Sequence, residues 1–86
     1  MTARLPPEII LGALSNVLCR LCKQDQLNLT PNMLLTDIPG IDSLRMLEVV
    51  ALMEEDFHVE VDVVALEGVH RVRDMVDVIS KARQVT

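Results

Sequence analysis

Apolar positions fall into separate blocks of helical spacing along the 86-residue chain. In the first block, residues 7–22, Ile10, Leu14, Val17 and Leu21 lie at i, i+4, i+7 and i+11, one face of an amphipathic helix. Pro6 and Pro7 suit its start, where a missing N–H costs nothing. Residues 23–42 break the period with Asp25, Asn28, Thr30, Pro31, Asn32, Pro39 and Gly40, yet carry Leu27, Leu29, Leu34, Leu35 and Ile38. A crossing this long is uncommon in a small domain, so it is expected to bury those leucines against the helices, with a short helical turn near 31–35. Periodicity resumes over 43–57, where Met46, Val50, Met53 and Phe57 form the inner face, with Leu47 beside them. A shorter fourth segment spans 62–66, and a last helix over 71–82 turns Val72, Met75, Val76 and Ile79 inward.

Residues 59–64 alternate apolar and acidic, as a strand would. No second strand is evident to pair with it, so a strand is not expected. These elements predict an all-α four-helix bundle, three long helices and one short, with a long first loop. The expectation is one free-standing, monomeric domain over residues 1–86.

Composition narrows the function. Eight Lys and Arg against thirteen Asp and Glu give a formal net charge of -5, and Phe57 is the one aromatic residue. A nucleic-acid surface needs clustered cations and stacking aromatics, which this chain lacks. No run approaches the roughly 20 apolar residues of a membrane span, and no secretory signal pattern is present. Cys19 and Cys22 are spaced like a redox pair, but such pairs work at a helix N-terminus and this one lies near a C-terminus. They read as two small residues on one helical turn. Two cysteines with His58 and His70 at unrelated spacings make no metal site. With no disulfide framework, the expected location is the cytoplasm.

The informative stretch is Gly40-Ile41-Asp42-Ser43-Leu44, directly before the third segment. Asp42 and Ser43 are both good N-cap residues. A serine at a helix N-terminus lies where free N–H groups and the helix dipole favour an anion, so its hydroxyl could carry a phosphate ester. At roughly 100° per residue, Leu44, Glu48, Ala51 and Glu55 fall opposite the inner face. Seven of the thirteen acids lie between Asp42 and Asp62, with Arg45 the one basic residue among them. A focused acidic stripe steers basic partners.

Here the sequence resembles the acyl carrier protein family of acyl, polyketide and peptidyl carriers. The resemblance is most specific from Thr36-Asp37-Ile38 through the Asp42-Ser43-Leu44 motif to Glu54-Glu55-Asp56-Phe57, and continues through Glu60-Val61, Val69 and the last helix. It implies that Ser43 carries covalent 4′-phosphopantetheine, donated by coenzyme A through a phosphopantetheinyl transferase, with acyl groups held as thioesters on the arm's thiol. It also implies docking roles for Asp42, Leu44, Arg45, Glu48 and Glu55. The implied partners are the transferase, an acyl- or aminoacyl-loading enzyme and downstream synthases or transferases.

Three positions depart from the fatty-acid carriers: Arg45 replaces a frequent acid, Val63 and Val64 stand where acids are usual, and Pro39 precedes the glycine. They weaken an assignment to housekeeping fatty-acid synthesis and leave the carrier resemblance intact, so the expected pathway is polyketide, specialised-metabolite or fatty-acid-type biosynthesis. Alternatives are an aminoacyl or peptidyl carrier and an unmodified helical interaction module. An enzyme with Ser43 as nucleophile needs a base and an oxyanion site. His58 lies on the order of 20 Å down the same helix, His70 is unplaced, and no G-x-S-x-G elbow is present. No catalytic residue is therefore expected.

Overall fold

The structure is a computed structural model, and it describes residues 5–85; the expected domain, 1–86, extends past both limits. Helix α1 spans Pro7–Leu21, with Pro6 extended at the N-cap and Pro7 opening the first turn. It buries Ile10, Leu14, Val17 and Leu18. Leu21, expected on this face, is only half-buried, whereas Cys22 is buried. Lys23 adopts the left-handed region (φ 55°), and Gln24 N–H donates to the Cys19 carbonyl at 2.9 Å, which closes the helix in a Schellman turn.

The crossing that follows buries Leu35 and Ile38 and half-buries Leu27, Leu29 and Leu34, as its leucines required. Its helical turn is a 3-10 turn at Leu35–Asp37 rather than over 31–35. The main-chain bonding explains the shift. Leu35 N–H donates to His70, Val72 N–H to Met33 and Arg73 N–H to Pro31, each at 2.9 Å. Residues 31–35 are therefore tied to the start of the last helix, with Leu34 bridged to Arg71, while Pro31 and Asn32 form a turn that Met33 N–H closes on the Thr30 carbonyl at 3.1 Å. Arg71 and Arg73 reinforce the seam by donating to the Asn32 carbonyl (2.6 Å) and side-chain oxygen (2.7 Å).

Helix α2 spans Ser43–Phe57 and buries Val49, Val50 and Met53. The buried face is rotated from the expected one: Met46 and Phe57 are only half-buried and Leu47 is 60% exposed. The cause is uneven cover. α1 packs along one flank of α2, while the flank carrying Met46 and Leu47 borders an open cleft.

Beyond α2, His58 takes a left-handed conformation and the chain forms β1, Val59–Glu60. β1 pairs antiparallel with β2, Arg83–Gln84, placing Val59 opposite Gln84 and Glu60 opposite Arg83. The strand rejected from the sequence therefore exists. Its partner is supplied by the C-terminal segment, whose two paired residues are both exposed and leave no apolar alternation to detect. A 3-10 helix, Val63–Gly68, follows, with the Asp62 carboxylate accepting from Val64 N–H at 2.9 Å. Helix α3, Val72–Ser80, buries all four expected residues, Val72, Met75, Val76 and Ile79. α1 packs against both α2 and α3, so the fold is the expected bundle of three long helices and one short, with a minor two-stranded sheet added. Among the described residues no polar side chain is buried, and no helix is long and apolar enough to cross a membrane.

Asp74 completes the first turn of α3. Its carboxylate accepts from Arg71 N–H at 2.9 Å and from His70 N–H at 3.1 Å, and these bonds hold its carboxyl below the usual range. A depressed folded-state pKa contributes stability above the unfolded value, about 3.9, and loses it as pH falls through the folded value. Thermal melts followed by circular dichroism should show Asp74→Asn less stable than the parent at pH 7. The gap should narrow as the pH is lowered below about 4. A gap independent of pH would remove this role.

Candidate functional site

The site is assembled where the crossing meets α2. Gly40 turns the chain at φ +83°, and a β-carbon there would sit 3.4 Å from the Cys22 β-carbon. Glycine is therefore favoured by the conformation, while the approach to Cys22 at the end of α1 is an ordinary packing contact. Ile41 N–H returns to the Ile38 carbonyl at 3.2 Å. Asp42 is then extended, and its carboxylate accepts from Arg45 N–H at 2.8 Å while its carbonyl accepts from Met46 N–H at 2.9 Å. Of the two capping candidates, Asp42 takes the role. This leaves Ser43 as the first helical residue, exposed, its hydroxyl without a hydrogen bond among the described residues. The N–H groups of Ser43 and Leu44 likewise have no intrahelical acceptor, as at any helix start.

Ser43 and Asp42 also line a cleft of about 570 Å³. Its walls are Leu34, Leu35 and Thr36 from the crossing, Met46 and Leu47 from α2, Leu66 from the 3-10 helix, Val69 and His70 from the segment after it, and Met75 from α3. The lining is mainly aliphatic, with the serine hydroxyl at one edge. An exposed hydroxyl at the positive end of a helix suits a phosphate ester, and the adjoining groove suits an extended chain attached to it.

Residues 12–79 match the family model described as the phosphopantetheine attachment site. The chain belongs to that family. The group its site takes is 4′-phosphopantetheine, held covalently. The carrier's fold is similar to that of a holo acyl carrier protein from Geobacter metallireducens solved by solution NMR, with a TM-score of 0.74 and 24% identity over 84% of this chain and 83% of that one. No curated protein matches the carrier.

Of the residues expected around the carrier's serine, Leu44 is 67% exposed and Glu48 and Glu55 are exposed along α2. Arg45 is half-buried, and its guanidinium donates to the Leu21 carbonyl at 2.8 Å. Val63 and Val64 are exposed, at 73% and 69%. His58 lies at the far end of α2, whereas His70 joins the cleft that Ser43 lines. Sequence alone does not place His70, because only the pairing of 31–35 with 70–73 fixes its position. Leu47, Leu66 and Val69 were also missed as cleft residues. Their one signal was the i, i+3 spacing of Leu44 with Leu47 and of Leu66 with Val69. Glu54 is a further unforeseen contributor, its carboxylate accepting from Val61 N–H at 2.8 Å and fixing the turn after α2. Cys19 and Cys22 are free thiols. Burial pushes the Cys22 thiol up, with Arg45 opposing, the opposite of the low thiol pKa that a redox pair uses. Among the described residues no cluster could hold a metal ion.

Proposed function

We propose that this protein is an acyl carrier whose Ser43 bears 4′-phosphopantetheine as a phosphodiester. The observation that carries this reading is the division of labour at the start of α2. Asp42 caps the helix, so Ser43 stands exposed on its first turn with an uncommitted hydroxyl, at the edge of an aliphatic cleft. When bound, the arm supplies a thiol that holds an acyl group as a thioester. The chain's own residues do the rest: Asp42 fixes the first turn, the helix N-terminus favours the phosphate's charge, and the cleft offers apolar cover to part of the arm or its cargo. Chemistry on the cargo then belongs to separate enzymes: the transferase, a loading enzyme and downstream synthases of polyketide, specialised-metabolite or fatty-acid-type synthesis.

The test is direct. The apo protein is incubated with coenzyme A, magnesium and a broad-specificity phosphopantetheinyl transferase, and its intact mass is measured. One added phosphopantetheine is expected. No addition with transferases of several specificities would overturn the reading.

Docking falls to the exposed face of α2, with Leu44 as apolar contact, Asp42, Glu48 and Glu55 as acids and Arg45 at the rim. Glu48→Lys or Glu55→Lys should slow association with the transferase several-fold at low ionic strength and progressively less as salt rises. Stopped-flow association rates measured across a salt series check this, and unchanged rates would remove the acidic stripe from docking.

A further inference from the structure

Arg45 does more than carry a charge at the rim. The last carbonyls of a helix lack intrahelical partners and form the negative end of its dipole. In α1 the Leu18 carbonyl accepts from Cys22 N–H, that of Cys19 from Gln24 N–H, and that of Cys22 from the Gln24 side chain. The Leu21 carbonyl accepts from Arg45, 24 residues away and two residues past Ser43. Arg45 is held at both ends, because its own N–H is taken by the Asp42 carboxylate. Among the described residues this is the one side-chain hydrogen bond joining α1 to α2. Immediately beside it Gly40 passes over Cys22, so the end of α1, the turn before Ser43 and the first turn of α2 meet at one junction.

The geometry points to Arg45 as a positioning residue for phosphopantetheine attachment. By clamping the first turn of α2 to the C-terminus of α1, it sets the direction in which Ser43 presents its hydroxyl to the transferase. The same bond turns the guanidinium inward toward the helix dipole, so that Leu44 and the acids are the outward elements of the docking face. This inference rests on the proposed attachment at Ser43.

The two possible roles of Arg45 separate kinetically. A docking charge acts on KM and weakens with salt. A positioning residue acts on kcat, because a displaced nucleophile binds the enzyme normally but reacts slowly; misplacing a reacting group can cost about a hundredfold. In the transferase assay with coenzyme A, Arg45→Met is expected to lower kcat roughly tenfold, with KM within about twofold of the parent. Arg45→Lys, which keeps a donor able to reach a carbonyl, should recover most of the loss. A parental kcat in Arg45→Met, or a salt-dependent rise in KM alone, overturns the inference. Amide hydrogen exchange on the same apo variants gives a readout that does not depend on modification. Exchange at Arg45 and Met46 should accelerate in Arg45→Met and return toward the parent in Arg45→Lys. If the parent takes up no phosphopantetheine, the attachment reading fails by itself, and unchanged exchange in Arg45→Met then overturns the clamp separately.

Discussion

Ser43→Ala is expected to abolish the mass gain with coenzyme A while leaving the melting curve nearly where it was. The two halves of this result have different origins. Modification needs the hydroxyl as nucleophile, and alanine has none. Stability does not need it, because the Ser43 hydroxyl makes no hydrogen bond among the described residues and the cap is supplied by Asp42. An exposed substitution away from such features changes stability by no more than about 0.5 kcal/mol, and alanine is the best helix former. Asp42→Ala should behave in the opposite sense. It removes the acceptor for Arg45 N–H and should cost about 1 kcal/mol, yet leave a serine that can still be modified. Intact mass and thermal circular dichroism, measured on both variants, separate the two roles. A Ser43→Ala protein that still gained phosphopantetheine would move the attachment to another residue.

The second large effect lies in the core. Leu14 is 0% exposed at the middle of α1, the helix that packs on both α2 and α3. Truncating a fully buried leucine to alanine costs about 2–5 kcal/mol, from lost transfer free energy and the cavity left behind. For a chain of this size the whole folding free energy is roughly 4–13 kcal/mol. Leu14→Ala should therefore lower the melting temperature by more than about 8 °C, or prevent folding outright. Leu47→Ala is the matched control, since Leu47 is 60% exposed and should cost no more than about 1 kcal/mol. Urea titrations followed by circular dichroism suit a chain without Trp or Tyr. Similar losses in the two variants would contradict the packing described.

The sequence carried those features that repeat or punctuate. Spacing of 3–4 residues located α1, α2 and α3, and every predicted inner residue of α3 is buried. Pro39-Gly40 followed by Asp42-Ser43 marked the site, because turn and cap chemistry are local. What stayed hidden depends on partners distant along the chain. The rotation of α2 toward Val49 follows from an open cleft on its other flank. The β1–β2 pairing joins residues 59–60 to 83–84, and its second strand buries nothing. The inward reach of Arg45 has no local pattern either, since its acceptor is a carbonyl 24 residues earlier. A charge with such a bond reads in sequence as an ordinary surface cation.

The interior and the rim of this molecule hold different kinds of information. With only apolar side chains buried among the described residues, the centre is cohesive but has no directional contacts, and Met53 and Met75 can change rotamer at small cost. Registration between elements is fixed at the periphery instead, by the seam of residues 31–35 with 70–73, the Arg45 clamp and the short sheet. The centre therefore supplies cohesion, and the rim sets how the elements register. A guest chain entering the cleft would meet side chains that can repack, while the frame that aims Ser43 stays in place.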